Sequence, residues 1–146
     1  HGMAGGQAID LASVGIALSR PELQRMHALK TGALLQASVV MGAACSNDAT
    51  SATRTALQQY GAAIGLAFQV VDDILDVTAD SQTLGKTAGK DAANDKPTYV
   101  SLLGLDASRA YARQLHDEAV QALQASSLER TDTLRALADL VIERAF

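Results

Sequence analysis

The stretch GLAFQVVDDILDV, residues 65–77, decides the fold. Leu66, Phe68, Val70, Val71, Ile74, Leu75 and Val77 make it strongly apolar, yet Asp72, Asp73 and Asp76 interrupt it. Carboxylates are among the side chains least often buried unless something pairs with them. At about 100° per helical residue, Gln69, Asp72, Asp73 and Asp76 share one arc and the apolar residues fill the rest of the circumference. A helix apolar on most sides sits inside a protein. The acidic stripe is therefore expected to face an internal cavity. The small residues upstream on the same stripe, Gly65, Ala62 and Gly61, are expected to leave open volume beside the acids.

Carboxylates at i and i+4, with a third between them, suit a hard cation held through oxygen. Mg²⁺ takes one or two protein carboxylates and completes its shell with water and phosphate oxygens. A solvated acidic face is the commoner fate of such a string met alone, but it would not need these apolar flanks. A metal site that recruits phosphate also needs cations nearby. Lys30 lies in mid-helix before Thr31 and Gly32, where a snorkelling surface lysine is the alternative reading. Lys86, Lys90 and Lys96 lie 14–24 residues beyond Asp72, on a Gly-containing stretch that could fold back over the acids. From the residues alone, the reading stops at a Mg²⁺-dependent site for a diphosphate-like ligand.

The rest of the chain is consistent with an all-α scaffold. Its 146 residues are about one domain, with 48% hydrophobic residues, 3% aromatics and no Trp. Ala, Leu and Gln favour helices, and no segment alternates like a strand. Net charge of −4 argues against nucleic acid or an anionic membrane as the main partner. The single cysteine, Cys45, excludes an internal disulfide framework and suits a reducing, cytoplasmic setting. The greasy segment 31–45 is short for a membrane span and reads as a buried core helix. Ser19, Pro21 and Glu22 signal a helix from Pro21 to about Ala44. Asn47 or Asp48 is expected to cap a long helix ending near Val77, and a loop is expected over 78–97. A short helix at PTYVSLLGL follows, with Asp106 and Thr131 expected to cap two more. His1, His27 and His116 have no companions at metal-ligand spacing and are expected to be solvated or hydrogen-bonded.

Five stretches, GMAGGQAIDL, HALKTGALL, GLAFQVVDDILDV, LGKTAGKD and KPTYVSLLGL, occur in this order. Together they resemble the bacterial short-chain trans-prenyltransferases of the polyprenyl synthetase family, over essentially the whole chain. The resemblance implies the helical prenyl synthase fold of terpenoid synthases, usually a homodimer around a deep apolar cavity. It implies condensation of an allylic diphosphate with isopentenyl diphosphate to make farnesyl diphosphate. Asp72 matches the direct Mg²⁺ ligand of an aspartate-rich motif, with Asp73 and Asp76 supporting it. Lys30, Lys86 and Lys96 match diphosphate-binding lysines, Thr31 follows Lys30 in the matching Lys-Thr-Gly segment, and Gln69 matches a glutamine beside the reacting allylic group, so the resemblance implies Lys30, Thr31 and Gln69 as catalytic residues.

A further aspartate-rich motif and the isopentenyl site of that family have no counterpart here. Residues 1–146 are therefore expected to form a single unit corresponding to the C-terminal half of such an enzyme, inactive alone. A terpene cyclase of the same fold and a non-catalytic helical interaction module are the alternatives.

Overall fold

The computed structural model describes residues 2–46, 49–78 and 95–145. They form α1 (Gly2–Ala12), α2 (Arg20–His27), a π-helical turn (Ala28–Gly32), α3 (Ala33–Ala44), α4 (Ser51–Thr78), α5 (Tyr99–Leu103), α6 (Leu105–Ala125) and α7 (Asp132–Glu143). No strand occurs among the described residues, so the all-α expectation holds. Nor is any described helix long and apolar enough to cross a membrane.

α4 is the axis of the molecule. It has 28 residues and so extends about 42 Å. Val70, Val71 and Ile74 are 0% exposed, and Leu57, Ile64, Leu66 and Ala67 are buried with them. α6 packs along one side of α4 and α3 along another, with the π turn and α7 also touching it. The upper half of α4 is pinned to the far end of the chain. The Thr53 hydroxyl donates to the Ser126 carbonyl at 3.0 Å, and the Tyr60 hydroxyl donates to the Leu134 carbonyl at 2.7 Å. Burial pushes the Tyr60 phenol up to about 12.

The helix starts follow the sequence only in part. At α2 the Glu22 carboxylate accepts from both the Ser19 amide and its hydroxyl, which holds the Glu22 carboxyl below its usual range. The helix expected from Pro21 to Ala44 is continuous but contains the π turn, where one extra residue per turn is accommodated. The Thr50 hydroxyl accepts from the Thr53 amide at the start of α4; Asn47 and Asp48, the expected caps, lie outside the described residues. Gly104, at φ 85°, turns the chain between α5 and α6, so Asp106 falls inside the first turn and caps nothing. Thr131 stands before α7 without a side-chain cap bond.

The segment read as a buried core helix is mostly open. Within α3 only Ala43 is buried, while Leu34 and Met41 are 64% and 61% exposed. α3 is apolar apart from Gln36 and Ser38, but the described residues cover only its sides facing α4, the π turn and α1. Apolarity reports how much surface a helix can bury, not how much its neighbours supply.

Candidate functional site

The π turn lies between α1 and α4, and both helices approach it through glycine. A Cβ on Gly65 of α4 would stand 2.6 Å from the Gly32 Cα, and one on Gly6 of α1 would fall on the Lys30 backbone nitrogen. Only a residue without a side chain permits such contact. Gly61 meets the Gln36 Cα in the same way, at 2.9 Å. Gly61 and Gly65 of the α4 stripe thus bring backbones together, with α3 and the π turn where open volume was expected, while Ala62 of the same stripe is exposed.

One helical turn beyond each glycine, a polar side chain grips the π turn. On α1, Gly6 is followed at i+4 by Asp10, whose Oδ2 accepts from the Lys30 Nζ at 2.8 Å. Asp10 is buried, and Lys30 is partly exposed. On α4, Gly65 is followed at i+4 by Gln69, whose Oε1 accepts from the Thr31 hydroxyl at 3.1 Å. Residues at i and i+4 share a helix face, so close approach at the glycine aims the next side chain at the same target. Lys30, Thr31 and Gln69 are therefore brought together as neighbours.

The acids continue down α4. The Gln69 Nε2 donates to the Asp73 Oδ1 at 3.2 Å, and the Tyr99 amide donates to the Asp73 Oδ2 at 2.7 Å. Asp73 thus satisfies the first amide of α5, a group that has no partner within its own helix. Asp73 and Asp76 are each 2% exposed, and Asp72 is half-buried. Lys96 is half-buried between two fixed points: the Tyr99 amide on Asp73, and the Asp95 carbonyl, which accepts from the Gly15 amide at 2.9 Å. Asp95 itself has φ 51°, the left-handed turn that redirects the chain there. Lys86 and Lys90 lie outside the described residues.

The aspartates offer only oxygen, the donor chemistry that Mg²⁺ requires. Among the described residues no three His, Cys, Asp or Glu side chains form a closed metal cage. That is compatible with a cation which keeps most of its water and phosphate ligands, and which needs one or two carboxylates from the protein. Asp72 and Asp76, at i and i+4 on α4, are the two carboxylates that would hold it.

Two residues were missed in the sequence. Asp10 sits in a run with no other charge, and only its i+4 relation to Gly6 could have marked it. His27 was expected to be solvated or hydrogen-bonded. It is instead 4% exposed, with neither ring nitrogen hydrogen-bonded among the described residues. Its ring centroid lies 5.5 Å from that of Tyr99, whose hydroxyl is likewise buried without a partner among the described residues. Desolvation, reinforced by the Lys30 charge and opposed by Asp10, holds the imidazole down to about 4. His116 does follow expectation, contacting Asp139 at 2.7 Å between α6 and α7.

Residues 1–137 match the polyprenyl synthetase family. The chain is 47% identical over 145 residues to the farnesyl diphosphate synthase of Escherichia coli K12, covering 98% of this chain and 48% of that protein. It is 46% identical over 145 residues to the chloroplastic geranylgeranyl pyrophosphate synthase of Catharanthus roseus, covering 99% and 40%. Among solved structures it superposes with a TM-score of 0.74 on Helicobacter pylori geranyltransferase complexed with magnesium and isoprenyl diphosphate. That pair is 36% identical, covering 98% of this chain and 44% of the other. The chain thus spans less than half the length of each of these relatives. A match over nearly the whole of its own length, with the same helical architecture, means that the chain belongs to the polyprenyl synthetase family.

Proposed function

We propose that this chain is the C-terminal part of a chain-elongating prenyltransferase and supplies the allylic-diphosphate side of its active site. The parent enzyme condenses an allylic diphosphate with isopentenyl diphosphate, with farnesyl diphosphate as the product, and works as a cytoplasmic homodimer. One observation carries the reading. The Thr31–Gln69 hydrogen bond, between residues 38 positions apart, joins the Lys-Thr-Gly turn to the aspartate-bearing face of α4. A lysine, a hydroxyl, a carboxamide and carboxylates then share one locale, the set needed to hold a charged head beside a reactive hydrocarbon.

In this reading Lys30 and Lys96 bind diphosphate oxygens, joined by Lys86. Asp72 and Asp76 would hold Mg²⁺, which when bound neutralises the charge that builds on a departing diphosphate. Asp10 keeps the Lys30 ammonium extended and oriented before substrate arrives. Thr31 and Gln69 present oxygen dipoles rather than nucleophilic charges next to the allylic group, and the apolar flanks of α4 exclude water that would quench a cation.

Calorimetric titration of the chain with geranyl diphosphate, with and without Mg²⁺, tests this. Binding that requires Mg²⁺ and weakens at least tenfold in Asp72→Asn is expected. Equal binding by the variant would remove the metal assignment. No turnover is expected from these 146 residues alone; condensation product would refute the assignment of the chain as half of a site.

A further inference from the structure

Asp73 lies between two hydrogen-bond donors, and this arrangement has a direction. A carboxylate can only accept. The Gln69 carboxamide must therefore turn its NH₂ group toward the Asp73 Oδ1, whatever the ambiguity between amide oxygen and nitrogen in isolation. Its carbonyl oxygen is then committed to face Thr31, and the Thr31 hydroxyl must spend its hydrogen on that oxygen. The other Asp73 oxygen takes the Tyr99 amide, at the start of the segment that follows Lys96.

We propose that Asp73 is a positioning residue. It sets the polarity of a Thr31–Gln69–Asp73 relay and at the same time anchors the chain that carries Lys96. Because Thr31 donates to Gln69, its oxygen offers only lone pairs in other directions. A hydroxyl so directed suits a positively charged or electron-deficient neighbour and disfavours one that needs a donor. The value of that orientation for a substrate rests on the functional reading above, but the relay itself does not. Asp73 has one oxygen on the α5 amide of Tyr99 and the other on Gln69.

Asparagine at this position makes a sharp test. Its single side-chain oxygen would be claimed by the buried Tyr99 amide, leaving its NH₂ against Gln69. Two facing NH₂ groups cannot bond, so the Gln69 carboxamide must reverse, and Thr31 must become an acceptor with its own hydrogen released.

The experiment uses the isotopically labelled chain without ligand, comparing it with Asp73→Asn and Asp73→Ala by NMR. In the unaltered chain, the Gln69 NH₂ protons are expected to show cross-peaks to the Tyr99 amide proton. In Asp73→Asn these are lost and replaced by cross-peaks to the Thr31 methyl. The Tyr99 amide is expected to exchange slowly in the unaltered chain and in Asp73→Asn, and at least tenfold faster in Asp73→Ala. Gln69 cross-peaks that do not move in Asp73→Asn would overturn the polarity assignment. Tyr99 exchange that is equally slow in Asp73→Ala would overturn the anchor. Neither readout needs a diphosphate or a metal, so a failure of the proposed function would leave both able to decide.

Discussion

α1 and α4 grip the same π turn with the same device, a glycine for close approach and a polar side chain one turn later, yet they use opposite chemistry. α1 holds Lys30 through the charge of Asp10, a buried carboxylate facing an ammonium that still reaches water. α4 holds Thr31 through the neutral carboxamide of Gln69, which is itself held by Asp73. The charged grip is strong and adjustable: a lysine on a flexible stem can exchange one anion for another. The neutral grip is weaker but directional, because donors and acceptors must alternate along it. The turn therefore combines one side chain suited to following a charged ligand with another held in a single orientation. A π-helical turn, with its displaced backbone, suits such a double role.

Removing the close approach should have the largest effect and break both grips. Gly65→Ala and Gly6→Ala each place a methyl against backbone that cannot step aside. Each is expected to lose about 3 kcal/mol or more in urea unfolding, the upper range for overpacking. Wild-type stability in either variant would mean that α1 or α4 can slide without consequence.

The residue beside the charged grip gives the next effect. His27 is neutral in the fold, with its pKa held at about 4 against 6.5 when unfolded. Below pH 6.5 the unfolded chain takes up a proton that the fold refuses, so this stabilisation is fully present above 6.5 and lost as pH falls toward 4. The expected loss over that window is about 3 kcal/mol, and His27→Leu should flatten that part of the pH–stability curve. An unchanged slope in the variant would place the imidazole in contact with water.

The two ends of the ion pair are not equivalent. Lys30→Met leaves Asp10 buried without its cation and is expected to cost about 2 kcal/mol, reduced from the range for fully buried pairs because Lys30 is partly exposed. Asp10→Asn leaves an ammonium that can turn to solvent, and is expected to cost about 1 kcal/mol. Equal costs, measured by urea unfolding, would indicate that both charges are equally desolvated. The neutral grip is the smallest: Thr31→Val removes one hydrogen bond, about 1 kcal/mol. A loss in that variant as large as in Lys30→Met would erase the distinction between the two grips.

Much of this could be read along the chain. The apolar flanks of residues 64–77 place α4 in the core, and Gln69, Asp72, Asp73 and Asp76 fall on a common face by helical period alone. The order of the five motifs carries the family, and the greasy run at 31–45 is a helix. Those properties are local, because a helix repeats its own geometry whatever surrounds it. What covers a helix is not local. The same run reads as core, but the described neighbours leave Leu34 and Met41 exposed.

The tertiary structure alone decided the pairings. Asp10 finds Lys30 20 residues away, Asp73 finds the Tyr99 amide 26 residues away, and His27 is sealed against Tyr99 with no bond to its ring among the described residues. Gly61 and Gly65, which alone suggest an open cavity, bring backbones into contact. Periodicity states which face a residue occupies, and only the crossing of helices states what that face meets. The carboxylates were legible as a stripe because they share one helix; the task of Asp73 was not, because the Tyr99 amide that assigns it comes from elsewhere in the chain.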